Sequence, residues 1–196
     1  MKNRQCRGQG PSSYWMQEPG LVFDVLDIGP GLSILDMGCG AGDYTLQAAR
    51  LTGPTGQVTA VDNWSPTVDA LKTAANAAGL AQIQCLAADI TTPPLPINPN
   101  TMDLCMAFTV LHSFGTENRR KKLLFEAARI LKSTGRLAVM ECKKQEMPFG
   151  PPIQMRLSPQ KVEGLAAACG FKKIKYIDFG YNYLTIFRLS KSAFML

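Results

Sequence analysis

A glycine-rich segment followed by an acidic residue carries the strongest chemical signal in this sequence. Gly38-Cys39-Gly40-Ala41-Gly42 comes directly after an apolar run, and Asp62 ends the next apolar run, 20 residues after Gly42. Glycines let the backbone turn sharply and approach a ligand closely, and a helix that starts behind them presents unpaired amides. An acid at the end of the second strand can accept both hydroxyls of a ribose. The segment therefore predicts binding of a cofactor that contains adenosine.

The residues around these glycines distinguish two kinds of cofactor. The dinucleotide fingerprint has a third glycine at its sixth position, where this chain has Asp43, whose carboxylate would repel a pyrophosphate. Asp36 lies two residues before the first glycine and is expected at the same crevice. A negative charge there suits a ligand that carries an ammonium and a sulfonium group. These features favour S-adenosylmethionine, with S-adenosylhomocysteine as the product, over NAD.

Five segments of the chain resemble motifs of the class I S-adenosylmethionine-dependent methyltransferases. They are Leu35 to Gly42, Val61-Asp62, Ala88-Asp89-Ile90, Phe108 to His112 and Leu131 to Leu137. The resemblance is closest to small-molecule enzymes of the ubiquinone/menaquinone-biosynthesis group, methyltransferase type 11. It implies a seven-stranded sheet whose last strand is antiparallel. Thr134 stands where the family has a turn glycine, and Ser113 stands where it has a second histidine.

The resemblance also implies roles at the cofactor site. At the methionine end it implies contacts from Asp36, from the backbone of Gly38, Cys39 and Gly40, and from the carbonyl of Phe108, which would accept from the ammonium. At the adenosine end it implies Asp62 on the ribose hydroxyls, Asn63 along the adenine, Asp89 on the adenine amino group and the amide of Ile90 on the ring. No metal is implied.

The carboxyl ends of the predicted parallel strands supply the candidate catalytic side chains, since open sheets bind ligands at that edge. His112 follows the fourth strand and is the first candidate for a base, because histidine titrates near neutral pH. Glu141 and Tyr183 are further candidates. Methyl transfer is an in-line displacement that depends mainly on alignment, and it needs a base only where the acceptor loses a proton. We also expect Tyr183 to form an aromatic wall with Tyr181, and Glu141 to pair with Lys143.

Short apolar runs alternate with helical patterns along the chain. The pattern predicts helices over 18–28, 43–51, 65–79, 116–132 and 158–170, and strands over 33–37, 57–61, 83–87, 102–108, 136–141, 173–178 and 183–189. Ser65-Pro66 and Ser158-Pro159 are typical helix starts, since serine caps free amides and proline suits the first turn. About four residues separate the last two strands, too few for a parallel crossover. We therefore predict a Rossmann-like, doubly wound α/β fold, a mostly parallel seven-stranded sheet with its last strand antiparallel and helices on both faces.

The composition indicates one globular domain. The chain has 196 residues, of which 46% are apolar and 18% charged, and a net charge of +6. We expect a domain over 18–196 preceded by an arm over 1–17, whose residues 14–16 act as a lid. No apolar run is long enough for a membrane span, and residues 1–13 lack the apolar core of a secretory signal, so we expect a cytoplasmic protein. The six scattered cysteines suggest buried, reduced thiols rather than a zinc site or a disulfide framework.

Several alternatives remain open beside a small-molecule methyltransferase. Basic clusters over 119–122 and 172–175 would serve a methyltransferase acting on RNA or protein, but no aromatic residues interleave with them, which argues against nucleic acid. A non-catalytic regulator that keeps the cofactor pocket is a second alternative. A NAD-dependent oxidoreductase is disfavoured by Asp43 and by the antiparallel last strand. The proline-rich loop over 146–152 is expected to form a wall of the acceptor pocket.

Overall fold

The computed structural model describes residues 12–190, and helices and strands alternate along them as the apolar pattern predicts. The helices are α1 (Pro19–Leu26), α2 (Asp43–Thr52), α3 (Ser65–Ala77), α4 (Glu117–Ile130) and α5 (Pro159–Ala167), with 3₁₀ turns at Ser13–Met16 and Leu111–Ser113. The strands are β1 (Ser33–Met37), β2 (Gln57–Asp62), β3 (Ile83–Ala87), β4 (Met102–Phe108), β5 (Leu131–Cys142), β6 (Phe171–Asp178) and β7 (Asn182–Leu189).

One seven-stranded sheet organises the domain. The strand order is β3-β2-β1-β4-β5-β7-β6, and β7 runs antiparallel to both of its neighbours. The predicted fold class, a mostly parallel sheet with a reversed last strand, is therefore confirmed. The order of the strands reverses between β1 and β4, and a crevice for a ligand opens at the carboxyl ends of the strands at such a point.

Two apolar clusters cover the two faces of the sheet. One cluster joins alternate strand residues, such as Leu35, Leu137 and Phe187, to α4 and α5. The other joins the intervening residues, such as Ile34 and Met140, to α1 and α2. Because side chains alternate along a strand, both faces of the central strands are buried, which explains their continuous apolar runs.

The structure differs from the predicted elements at two places. Trp64, not Ser65, is the N-cap of α3, whereas Ser158 caps α5 through its hydroxyl as expected. The fifth strand begins at Leu131, directly after α4, rather than at residue 136. Met102 pairs with Leu131, and Leu104 pairs with Arg136. The register between β4 and β5 therefore shifts at this point, which accommodates the extra residues of β5.

The cysteines follow the predicted burial only in part. Cys105, Cys142 and Cys169 are buried free thiols, but Cys39 and Cys85 are partly exposed, because the first lies in the glycine loop and the second in the edge strand β3. Cys6 and residues 1–11 of the predicted arm lie outside the described residues. No helix within residues 12–190 has the length and hydropathy needed to span a bilayer. The cytoplasmic location stays a prediction.

Candidate active site

The glycine loop between β1 and α2 has no room for a side chain at Gly38 or Gly42. The amides of Gly38 and Cys39 both donate to the carbonyl of Val61, at 2.8 and 3.0 Å. Gly38 has a φ of +83°, and a Cβ added there would lie 2.6 Å from Cγ2 of Val110. At Gly42, with a φ of +82°, an added Cβ would lie 2.3 Å from Cδ1 of Leu71. The loop is therefore a preformed backbone cradle at the carboxyl edge of the sheet.

Asp62 at the end of β2 is held in place by the same loop. Its Oδ2 accepts from the amide of Gly40 and its Oδ1 from the amide of Trp64, each at 3.0 Å. The residue is 7% exposed. Each carboxylate oxygen keeps a lone pair for a further donor, as the two hydroxyls of a ribose require. The neighbouring Asn63 is exposed at the same edge.

Asp36 lies beneath the glycine loop and is almost fully buried. The hydroxyl of Thr45, in the first turn of α2, donates to Oδ2 of Asp36 at 2.6 Å. Burial raises the pKa of Asp36 to about 6, with a smaller upward contribution from the charge of Asp62 and an opposing effect of the hydrogen bond from Thr45. The carboxylate stays ionised at neutral pH, and a cationic ligand above it would be stabilised.

Asp89, after β3, forms the far end of this edge. Its Oδ1 accepts from both the amide and the hydroxyl of Thr91, each at 2.8 Å. Burial by itself would raise the pKa of Asp89, but the hydrogen bonds from Thr91 and the charge of Arg119 outweigh burial and lower the pKa. The adjacent Ile90 packs its side chain into the core. Asp89 is therefore an oriented, ionised acceptor at the position predicted for the adenine amino group.

The backbone has an unusual conformation where β4 ends, next to the glycine loop. Thr109 has a φ of +51°, and its hydroxyl donates to the carbonyl of Phe108 at 2.8 Å. This carbonyl is the group predicted to accept from an ammonium, and an oxygen with two lone pairs retains one for that purpose.

His112 and Glu141 form a hydrogen-bonded pair at the ends of β4 and β5. Nδ1 of His112 lies 2.7 Å from Oε2 of Glu141, and the amide of His112 donates to Oε1 at 3.2 Å. Glu141 is fully buried, whereas the side chain of His112 is 14% exposed. The sequence placed both residues at this edge but did not pair them. The expected pairing of Glu141 with Lys143 is wrong, because Lys143 instead binds Asp178.

Tyr183 is not placed to act on a substrate, contrary to both roles expected from the sequence. It is fully buried, its ring stacks on Tyr176, and its hydroxyl donates to the carbonyl of Leu157 at 2.9 Å. Burial raises its pKa, and the negative charge of Glu141 adds to that rise. Tyr183 is therefore a core residue. Tyr181 is 47% exposed and packs edge-on against Phe149 of the loop after β5.

Arg156 organises the loop that follows β5. The arginine is 4% exposed, and its guanidinium donates to four backbone carbonyls of this loop. The acceptors are Lys143, Gln145, Phe149 and Pro151, at distances from 2.7 to 3.3 Å. These four hydrogen bonds hold the loop in one conformation where it leaves β5, and its role as a wall of the acceptor pocket stays a prediction.

Gln17 anchors the segment before α1 to the same edge. Its side chain accepts from Asn182 and donates to the hydroxyl of Tyr44, both at 2.6 Å. Tyr14 packs edge-on against Tyr44, while Trp15 is 75% exposed. The described part of the predicted arm therefore lies over the edge of the sheet, and its action as a lid stays a prediction.

Comparison with known proteins identifies the family. The Methyltransf_11 family, described as a methyltransferase domain, matches residues 35–139, more than half of the chain. The chain belongs to this methyltransferase family. The match covers β1 to β5, which carry the glycine loop, Asp62, Asp89 and His112. The prediction of a class I S-adenosylmethionine-dependent methyltransferase domain is confirmed.

Several curated relatives of this methyltransferase domain are named as menaquinone or ubiquinone biosynthesis enzymes. Demethylmenaquinone methyltransferase of Bacillus cytotoxicus is 28% identical over 135 residues, which cover 68% of this chain and 53% of that protein. Ubiquinone/menaquinone biosynthesis C-methyltransferase UbiE of Teredinibacter turnerae is 35% identical over 128 residues, 64% of this chain and 49% of that protein. The chain therefore spans about half the length of the curated relatives it matches.

A solved structure shares the fold over nearly the whole methyltransferase domain. A S-adenosylmethionine-dependent methyltransferase from Aquifex aeolicus superposes with a TM-score of 0.83 at 25% identity, covering 92% of this chain and 94% of that one. S-adenosylmethionine is the cofactor of this family and fits the residues present. Asp36 and Asp62 at the glycine loop are acceptors of the kind that its cationic and hydroxyl groups would need. No group of three or more His, Cys, Asp or Glu within residues 12–190 could hold a metal ion.

Sequence reasoning missed the residues that support the site from a distance. Thr45, Gln17, Arg119 and Arg156 all bind groups of the site through contacts that no motif encodes. An arginine just after the apolar, proline-rich stretch 147–153 was a usable signal for Arg156, because a buried arginine must find several acceptors. The sequence carried no comparable signal for Gln17.

Proposed function

We propose that this domain transfers a methyl group from S-adenosylmethionine to a small-molecule acceptor by in-line displacement, with His112 as the general base. The observation that carries the proposal is the 2.7 Å contact between Nδ1 of His112 and the buried carboxylate of Glu141. A histidine held by a carboxylate at the ligand-binding edge of the sheet has the arrangement that proton abstraction needs.

The chain's own residues hold and orient the cofactor. The bound cofactor supplies a methyl group that is already activated by a sulfonium charge. Asp62 accepts the ribose hydroxyls, Asp36 and the carbonyl of Phe108 face the amino acid part, and Asp89 faces the adenine. The glycine loop provides the close backbone approach. Alignment of this kind lowers the barrier of a two-reactant step by roughly 7–11 kcal/mol.

Glu141 orients the ring of His112 and fixes its tautomer. Because Glu141 is buried and bonded to Nδ1, the neutral imidazole carries its hydrogen on Nδ1 and leaves Nε2 free to accept a proton. The acceptor's proton moves to Nε2 while the acceptor atom forms its bond to the methyl carbon and the bond from that carbon to sulfur breaks, which leaves S-adenosylhomocysteine. The imidazolium that results is stabilised by the negative charge of Glu141 at 2.7 Å.

The proposed class of acceptor is supported by the names of the relatives and by the side chains at the carboxyl edge of the sheet. The names of several curated relatives refer to menaquinone or ubiquinone biosynthesis, which supports a quinol-type acceptor with an acidic hydroxyl or ring carbon. Phe149, Tyr181 and Met155 are partly exposed apolar side chains at this end of the sheet and suit a flat aromatic molecule.

Cofactor binding and catalysis are tested separately. Melting temperatures are measured with S-adenosylmethionine, S-adenosylhomocysteine and NAD, and the two sulfur compounds should raise the melting temperature only when Asp62 is intact. Transfer of a labelled methyl group to a panel of quinols then reports catalysis. Both His112→Gln and Glu141→Gln should lower kcat roughly 10²–10⁴-fold with unchanged S-adenosylhomocysteine affinity. Glu146→Gln, which removes an exposed carboxylate from the neighbouring loop, is the matched control. Stabilisation by NAD alone, or full activity in both variants, would refute the proposal.

A further inference from the structure

Arg119 reaches from the first turn of α4 to the adenine end of the site. Its Nε and Nη2 donate to the hydroxyl of Thr91 at 3.2 and 3.1 Å, and Nη2 lies 3.4 Å from Oδ2 of Asp89. The guanidinium also lies over the ring of Phe114, with its central carbon 5.3 Å from the ring centroid. Two hydrogen bonds, an ion pair and a ring contact therefore fix the position of this side chain.

The two carboxylate oxygens of Asp89 differ in how many further hydrogen bonds they can accept. Oδ1 already accepts two hydrogen bonds from Thr91, each at 2.8 Å, whereas Oδ2 faces only the longer contact with Arg119. A carboxylate oxygen can accept two hydrogen bonds. Oδ2 is thus the oxygen with capacity for a ligand donor, and Arg119 determines which way it faces.

We propose that Arg119 is a positioning residue that orients Asp89 and so makes the site select a 6-aminopurine cofactor over a 6-oxopurine. This inference rests on the proposed role of Asp89 in adenine recognition. A 6-amino group donates to Oδ2, whereas a 6-oxo group would place an acceptor against an acceptor and leave both unsatisfied. The discrimination requires that the carboxylate cannot turn away, and Arg119 together with Thr91 prevents that turn.

Arg119 could act on Asp89 through its charge alone rather than by fixing the orientation of the carboxylate. Lys122 distinguishes these two explanations. Lys122 is exposed on the same helix, and its charge also lowers the pKa of Asp89. The structure shows contacts from Arg119, but not from Lys122, to the Asp89 carboxylate or Thr91. Lys122→Ala therefore removes one nearby positive charge and leaves the orientation of Asp89 in place.

The test is calorimetric binding of S-adenosylhomocysteine and of S-inosylhomocysteine, its 6-oxo analogue. Wild type should prefer the amino compound by about tenfold or more. Arg119→Ala should weaken binding of S-adenosylhomocysteine roughly three- to tenfold, with little change for the 6-oxo analogue, so the preference falls by the same factor. Lys122→Ala should keep the preference within about twofold of wild type. Arg119→Lys keeps the positive charge but loses the planar guanidinium, so it should give the same result as Arg119→Ala. The lysine variant replaces the alanine variant if the alanine variant does not fold.

Four outcomes overturn the inference. If Arg119→Ala weakens the binding of both ligands equally, Arg119 supports the fold without selecting the purine. If binding of both ligands is unchanged, Arg119 does neither. A preference that survives in Asp89→Asn would place recognition of the base elsewhere. If wild type binds neither ligand, the proposed function fails as well, which distinguishes that failure from the other three outcomes.

Discussion

Replacing Asp36 by asparagine tests whether the domain keeps a buried charge at its cofactor site at the expense of stability. Asp36 is 2% exposed, and burial raises its pKa from an ordinary value of 3.8 to about 6. Asparagine has nearly the same shape but no charge. The substitution therefore removes the group that titrates and preserves the volume beneath the glycine loop.

The size of the effect follows from the rise in the pKa. A rise of about two units corresponds to about 3 kcal/mol in the free energy of unfolding once the group is ionised in both states. The folded state keeps a proton that the unfolded chain has already released, so stability falls as the pH rises from about 4 to about 6 and levels off above that range. About 1.4 kcal/mol of this loss lies between pH 5 and pH 8.

The assay is urea unfolding of wild type and Asp36→Asn at pH 5 and pH 8. From pH 5 to pH 8, the stability of the variant relative to wild type should increase by about 1.4 kcal/mol. The absolute difference also contains the cost of an unpaired buried amide, about 1–3 kcal/mol, so the change with pH decides the question. Asp69→Asn is the control, because that residue is exposed on α3 and no burial cost is relieved. A relative stability of Asp36→Asn that is the same at both pH values would refute the reasoning.

Three further substitutions test other parts of the site. Gly38→Ala should lower the free energy of unfolding by about 2 kcal/mol or more, since its Cβ would lie 2.6 Å from Val110. Gly29→Ala is the control and should cost little stability, because its Cβ would meet nothing within 4 Å. Equal effects of the two substitutions would contradict the packing argument. Arg156→Met should expose the loop after β5 to protease and raise the KM for the acceptor at constant S-adenosylhomocysteine affinity; an intact loop would show that the guanidinium is dispensable. Tyr183→Phe should cost about 1 kcal/mol in urea unfolding and leave kcat unchanged, and a tenfold loss of kcat would restore Tyr183 as a catalytic residue.

Local patterns were sufficient for the order of the elements and for the position of the glycine loop. Apolar periodicity, helix starts and glycine turns depend on residues close together in the chain, so the element order and the reversed β7 could be predicted from sequence. The same holds for the glycine loop and for the acid that ends β2, because a strand, a turn and a helix place them relative to one another. The confirmed cofactor follows from these short-range relations.

Contacts between distant parts of the chain could only be settled by the tertiary structure. His112 and Glu141 are 29 residues apart, and Gln17 and Asn182 are 165 apart. The sequence placed Tyr183 at the right edge of the sheet, but its burial depends on the register that pairs it with Glu141 on the face covered by α4 and α5. Pairing of side chains depends on strand order, register and which face a helix covers. These features are set by the packing of the whole domain. Sequence spacing therefore identified residues of the candidate site, whereas tertiary packing determines which of them are in contact.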